Sequence, residues 1–245
     1  MIEIKLFKKV DLSKYTFIEG FPGIGLVGPM AISYIIDKMS LEYVGYMEST
    51  DFPPLISVHD TRPMPPIRVY VSQKYKIVTI FAEFAVPLEL VYDMTNAVYG
   101  FITDNKISGI FSISGIPVLS STGMNSAMVV ASRDNELKLA LKVGLKPIKE
   151  GVATGITALL LKRSALDGFP DTSIMVPLDQ NMANPKYAKV AIEALNSLLG
   201  LGIDTEELTK EAKEMEEKLK ELMKRHAETH ESYKKAIDEG PSMYA

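Results

Sequence analysis

Strand-like and helix-like segments alternate through the first three quarters of this chain, and that alternation limits its fold more than any other feature. Residues 15–21 (YTFIEGF) are rich in β-formers and close on Pro22-Gly23; residues 26–39 follow with helical spacing, and 43–47 read as another strand. Pro53, Pro54, Pro63, Pro65 and Pro66 make the next stretch irregular or edge-like. Residues 67–71 and 76–84 have the pattern of a hairpin around the polar turn 72–74. Leu88, Val91, Met94 and Val98 keep helical period over 87–104, with Pro87 near the start. Strands at 109–116 and 127–131, a short helix at 135–142, a glycine-led helix at 151–166, a strand at 171–177 and an amphipathic helix at 185–199 complete the series. The pattern predicts an α/β fold whose sheet is mainly parallel and covered by helices on both faces.

The character changes at Gly200-Leu201-Gly202. From Asp204 to Glu239 the chain is dense in Glu and Lys, with no Gly or Pro inside. Leu208, Ala212, Met215, Leu219 and Leu222 fall at heptad spacing, and the register continues through His226, Thr229, Tyr233 and Ala236. Asp204 suits an N-cap, and Glu207 three residues later can complete a capping box. The seam has two readings: the helix packs back on its own domain, or it packs against the same helix of another subunit. A narrow 3/4 register favours the second, because a helix lying on a globular core usually carries a wider apolar stripe. The chain therefore divides into a domain at 1–200, a heptad helix at 201–239 and a flexible tail at 240–245.

Composition removes whole classes of function. Net charge is −4, so no basic surface invites nucleic acid. Cysteine is absent, which excludes disulfides, thiolate metal sites and cysteine nucleophiles and suits a reducing cytoplasm. The N-terminus alternates instead of running apolar, and the longest apolar run, near 156–161, is far short of the roughly 20 residues a membrane helix needs. A soluble, cytoplasmic protein is expected.

Gly23-Ile24-Gly25-Leu26-Val27-Gly28 is a formal G-x-G-x-x-G between a strand and a helix, with Glu48 near the place of a ribose ligand. Glycines there let backbone N–H groups approach a pyrophosphate. They equally serve a tight turn and close packing, and the proline-rich stretch after Glu48 does not continue a dinucleotide fold. Nucleophile signals are poor: Ser112 and Ser114 in GIFSISG lack the G-x-S-x-G elbow. His226 and His230 share a helix face, but H-A-E-T-H is not the metalloprotease pattern. No metal or cofactor is expected.

The last three residues, Met243-Tyr244-Ala245, follow a helix-breaking Gly240-Pro241 and read hydrophobic-Tyr-any at a free carboxylate. A carboxylate to meet a lysine, a ring to fill a cleft and a hydroxyl for its rim make a compact docking tag. Together with GFPGIGLVG at 20–28 and SGI at 114–116, this ending resembles the archaeal homologues of the proteasome assembly chaperones, over about 15–199 and again at the tail. The resemblance implies a three-layer α/β/α sandwich similar to purine nucleoside phosphorylases, without their activity. It also implies binding to the α subunits of the 20S proteasome, with Met243 as hydrophobic residue, Tyr244 as aromatic anchor and Ala245 as carboxylate donor in a pocket between neighbouring α subunits. The long Glu/Lys helix departs from the family's paired heterodimer and points to a homo-oligomer, a tetramer or pentamer. Assembly chaperone and activator both use this docking chemistry. The reading from another class is a nucleoside- or dinucleotide-binding enzyme using the loop at 23–28.

Overall fold

A computed structural model describes residues 1–118, 126–179 and 184–208. Nine strands form one mixed sheet in the order β1-β3-β6-β7-β2-β8-β11-β9-β10. They are β1 (Glu3–Leu6), β2 (Thr16–Glu19), β3 (Glu42–Glu48), β6 (Ile67–Ser72), β7 (Ile77–Ala82), β8 (Gly109–Val118), β9 (Met128–Ala131), β10 (Lys146–Pro147) and β11 (Asp171–Asp179). The parallel pattern expected for most of the sheet holds for the centre, β7-β2-β8-β11, and for β9-β10. The flank β1-β3-β6-β7 is antiparallel, as is β11-β9. For β6-β7 the reason lies in the connection, because hairpin neighbours need only a tight turn whereas parallel ones need a crossover. The proline-rich stretch carries a separate two-stranded hairpin, β4 (Ser57–His59) and β5 (Arg62–Met64).

Alternation along the central strands feeds two cores. Ile18, Ile77 and Ile113 face one side, where they meet α1 (Val27–Lys38), α3 (Asp134–Lys142) and α5 (Pro185–Leu199). Phe17, Val78 and Ile110 face the other, where they meet α2 (Val91–Asp104) and α4 (Gly155–Asp167). Burying each such side chain contributes about 1.5–3 kcal/mol. The helix expected at 185–199 has those bounds because both ends are signalled. Asn184 accepts the N–H of Lys186 at 3.0 Å, Pro185 opens the first turn, and Gly200 closes it at φ 65°.

Residues 201–208 pack on α1 and α5. Asn196 bonds both the N–H and the carbonyl of Ile203, the Tyr34 hydroxyl donates to the Asp204 carbonyl at 2.7 Å, and Lys38 pairs with Glu207. Asp204 accepts the N–H of Glu206 at 2.9 Å, while the Glu207 carboxylate turns to Lys38. The expected boundary at 200 thus lies inside a packed segment.

The seat of α1 is made by two glycines. A Cβ on Gly28 would stand 2.8 Å from both the Gly20 Cα and the Ile113 carbonyl, so helix and sheet touch backbone to backbone. By contrast Gly100, inside α2, has nothing within 4 Å of an added Cβ. Gly28→Ala should therefore destabilise by about 1–3 kcal/mol through overpacking, whereas Gly100→Ala should stabilise by up to about 1 kcal/mol through helix propensity. Urea titration of both variants reads the two signs, and equal signs would refute the packing account.

Candidate functional site

β2 and β8 are neighbours, and the chain leaves them in opposite directions. After β2 it crosses through α1 toward the β3 side; after β8 it proceeds toward β9 and β10. Ligands of open α/β sheets gather in the crevice that such a switch point leaves outside the carboxyl ends of the strands. Here the crevice is a cavity of about 770 Å³, walled by the turn at Phe21–Ile24, the approach to α2, the end of β8 and the first turn of α4. Its mouth is apolar and solvated: Leu88 is 85% exposed and Val152 93%.

Beneath the floor a strip of polar side chains is shut inside an otherwise apolar interior. Glu19 is fully buried; its Oε1 accepts the Phe21 N–H at 2.7 Å and its Oε2 the Thr157 hydroxyl at 2.9 Å. Parallel register sets Glu19 beside Ser112 and Ser112 beside Ser173, with Asp171 two residues along the same face. Asp171 Oδ2 accepts the Ser164 hydroxyl at 3.0 Å. Asp171 Oδ1 and the Ser173 hydroxyl have no hydrogen-bond partner among the described residues. Burial pushes the Glu19 carboxyl up to about 7, against the opposing hydrogen bonds from Phe21, Thr157 and Ser112. Burial likewise pushes Asp171 up to about 8, with Ser164 opposing and Glu19 reinforcing.

The residues singled out in the sequence distribute themselves differently. Of the glycine motif, Gly28 is spent on packing, and Gly25, at φ 69°, would drive a Cβ to 2.4 Å from Leu178 Cδ1. Gly23 lines the cavity. Glu48 lies at the end of β3, two intervening strands from β2, and pairs with Lys5 at 2.8 Å; it is not placed to hold a ribose at the glycine turn. Ser114 lines the cavity, while Ser112 lies buried below it. His59 meets Glu83 at 2.9 Å, and Glu83 meets the buried Arg68 at 3.0 Å, a cluster that ties the β4–β5 hairpin to the sheet. No group of three His, Cys, Asp or Glu side chains among the described residues could hold a metal, and no described helix is long and apolar enough to cross a membrane.

Leu208 is 1% exposed in the core with α1 and α5, so its side chain is occupied within its own chain. Ala212, Met215, Leu219, Leu222, His226, His230, Met243, Tyr244 and Ala245 lie outside the described residues. Sequence reasoning missed the polar strip. The available signal was Glu19 inside apolar FIEGF, and the period-two pairs Ser112/Ser114 and Asp171/Ser173 in strands that otherwise read as buried.

A mixed sheet with helices packed on both faces and a cavity at its switch point places the chain among the open α/β-sheet proteins. The chain belongs to the PAC2 family, whose model matches residues 17–223. An uncharacterized protein of Methanocaldococcus jannaschii is 30% identical over 223 residues, 89% of either chain. Pyrococcus furiosus PbaA, described as an archaeal homolog of proteasome-assembly chaperone, is 25% identical with a TM-score of 0.84, over 95% of this chain and all of its own. Pyrococcus furiosus PbaB, described as an archaeal proteasome activator, shares the fold at 21% identity and a TM-score of 0.73, over 90% of this chain and 98% of its own.

The buried acids give stability a sign with pH. Glu19 keeps its proton in the folded state after the unfolded chain, with a value near 4.5, has lost it. Its contribution is full below pH 4.5, declines as pH rises and is gone once pH passes about 7. Glu19→Gln cannot ionise, so it should flatten the loss of stability between pH 5 and pH 8 by on the order of 3 kcal/mol. Urea titrations at both pH values check this, and an unaltered slope in the variant would show that Glu19 does not hold its proton.

Proposed function

We propose that this PAC2 chain is a non-enzymatic proteasome-binding protein, an assembly chaperone or activator, that docks Met243-Tyr244-Ala245 between α subunits of the 20S proteasome. The observation that carries it is the likeness to PbaA along nearly the whole chain, joined to the hydrophobic-Tyr-any tripeptide Met243-Tyr244-Ala245. PbaB, with the same fold, adds an activator to the comparison. The glycine turn's commitment to packing and the remoteness of Glu48 count against the nucleoside- or dinucleotide-binding enzyme.

The helix seam supplies the second part. Leu208 anchors the start of the segment on the body, and Ala212, Met215, Leu219 and Leu222 carry self-association into a tetramer or pentamer. Linked tails raise effective concentration, so weak docking at each becomes useful avidity. Leu219→Asp with Leu222→Asp places unpaired charges in the seam and should split the assembly. Light scattering reads the molar mass, and an unchanged value removes the seam as the main interface.

Truncating an aromatic anchor or one member of a desolvated charge pair typically costs about 2 kcal/mol or more. Multiplied across tails, that loss should abolish binding of 20S particles by Tyr244→Ala. A single residue added after Ala245 should do the same, because it displaces the carboxylate while keeping every side chain. Both variants should retain the wild-type mass. Surface plasmon resonance on immobilised 20S particles is the measurement, and unchanged affinity in both would place binding on the body of the domain.

A further inference from the structure

We propose that the cavity at the carboxyl ends of β2 and β8 binds a small, largely apolar molecule carrying one anionic group. This goes beyond proteasome docking and does not rest on it. α1 and α5 both run from the cavity end of the sheet to the far end, where Lys38 and Asn196 hold residues 203–207. The segment that leads to the tail therefore starts at the end of the sheet opposite the cavity.

The volume, about 770 Å³, lies within the range of small-molecule sites, roughly 300–1,000 Å³. Phe21, Val91, Ile116 and Met175 make the wall hydrocarbon, and Leu88 and Val152 stand at the rim in water. Beside it, Phe17, Ile18 and Ile113 are wholly buried. An apolar recess of this size kept open beside such packing suits a ligand that removes its surface from water.

The head group follows from the donors. Gly155, Ile156, Thr157 and Ala158, the first turn of α4, form one wall, and the cap residue Thr154 makes no side-chain capping bond. That helix start, with N–H groups left over and a positive dipole end, faces the recess, and Gly23 and Ile24 of the opposite turn line it as well. Lys149 lines it too and adds its positive charge to that of the helix start, with Glu150 beside it offsetting part of that charge. Ser114, on the same face of β8 as the buried Ser112, adds a hydroxyl to the wall. Burial that raises both Glu19 and Asp171 lessens the negative charge they set against an anion above them. Few polar side chains line the walls, so hydrocarbon or an aromatic body fits better than a sugar.

The probe is 1-anilinonaphthalene-8-sulfonate, an aromatic body with one sulfonate, titrated by fluorescence into the full-length folded chain. N-phenyl-1-naphthylamine, which lacks the charge, is the control. Expected are one saturable site per chain at micromolar Kd and at least tenfold weaker binding of the neutral analogue. Ala158→Trp, which fills the recess from the first turn of α4, should weaken the sulfonate at least tenfold. Lys149→Glu, on an exposed loop and safe for folding, should weaken it severalfold. Absence of saturable binding, equal affinity for the neutral analogue, or an affinity that Lys149→Glu leaves unmoved would overturn the site. Unchanged affinity in a folded Ala158→Trp protein would do so too. Binding of 20S particles by the same variants should stay at the wild-type level, which keeps failure here distinct from failure of tail docking.

Discussion

The first helix is seated by a contact between two main chains. Gly20, just past β2, and Gly28, in the first turn of α1, approach so closely that neither has room for a Cβ, and Gly28 also presses on the Ile113 carbonyl of β8. That single approach fixes three things: the depth at which α1 starts, the side on which the chain leaves β2, and the spacing of the β2–α1 unit from β8. Because the turn between the two glycines is drawn tight, Gly23 and Ile24 border the crevice at the switch point instead of filling it. The cavity is thus a by-product of how the helix is anchored. It also explains why a sequence that matches the dinucleotide fingerprint need not bind a dinucleotide, since the glycines answer to the protein's own backbone.

The domain buries carboxyl groups in two ways. Glu83 is met by a guanidinium: Arg68 lies 3.0 Å away, equally buried, with Phe81 and Tyr70 beneath its plane. Glu19 has a main-chain N–H and a hydroxyl instead, and Asp171 a hydroxyl. Without a cation the neutral form is the cheaper one inside a low-dielectric interior, and both acids shift accordingly. One solution pins a hairpin to the sheet edge at Pro65–Arg68. The other puts exchangeable protons under the cavity floor, near the Ser173 hydroxyl, which has no partner among the described residues.

Much of the fold was legible in the sequence. Helix periodicity, prolines at helix starts and Gly200 at a helix end located α1, α2 and α5 to within a residue or a turn, and the hairpin β6–β7 followed from its polar turn. Strand direction was not legible, because alternation of strand and helix says nothing about a segment such as 49–66 that replaces a crossover helix with a small hairpin. β10, two residues long, has too little sequence to carry a period. The PAC2 relationship showed through the glycine turn, whose residues are constrained by backbone contact. The cavity did not, since its walls come from segments far apart in the chain, and apolar rim residues such as Leu88 and Val152 look like any others. Leu208 fitted a heptad and a core position equally, and tertiary packing took it for the core.

The mixed sheet also sets how long parts of the nascent chain stay unprotected. The flank from β3 to β7 joins close neighbours, and the β6–β7 hairpin closes across a short turn. The parallel centre is different: Ser108 reaches back 93 positions to Tyr15, and Thr157 reaches back 138 to Glu19. Contacts of such span form late, after their loop-closure entropy has been met. With synthesis at about 5–20 residues per second, β2 waits several seconds for β8, and β8 waits again for Asp171 onward. During that interval Phe17, Ile18 and Ile113 sit on open strand edges, where another chain could pair with them. A protein that itself resembles assembly chaperones thus has its own most vulnerable moment on the ribosome, in the strands that later become its best-protected centre.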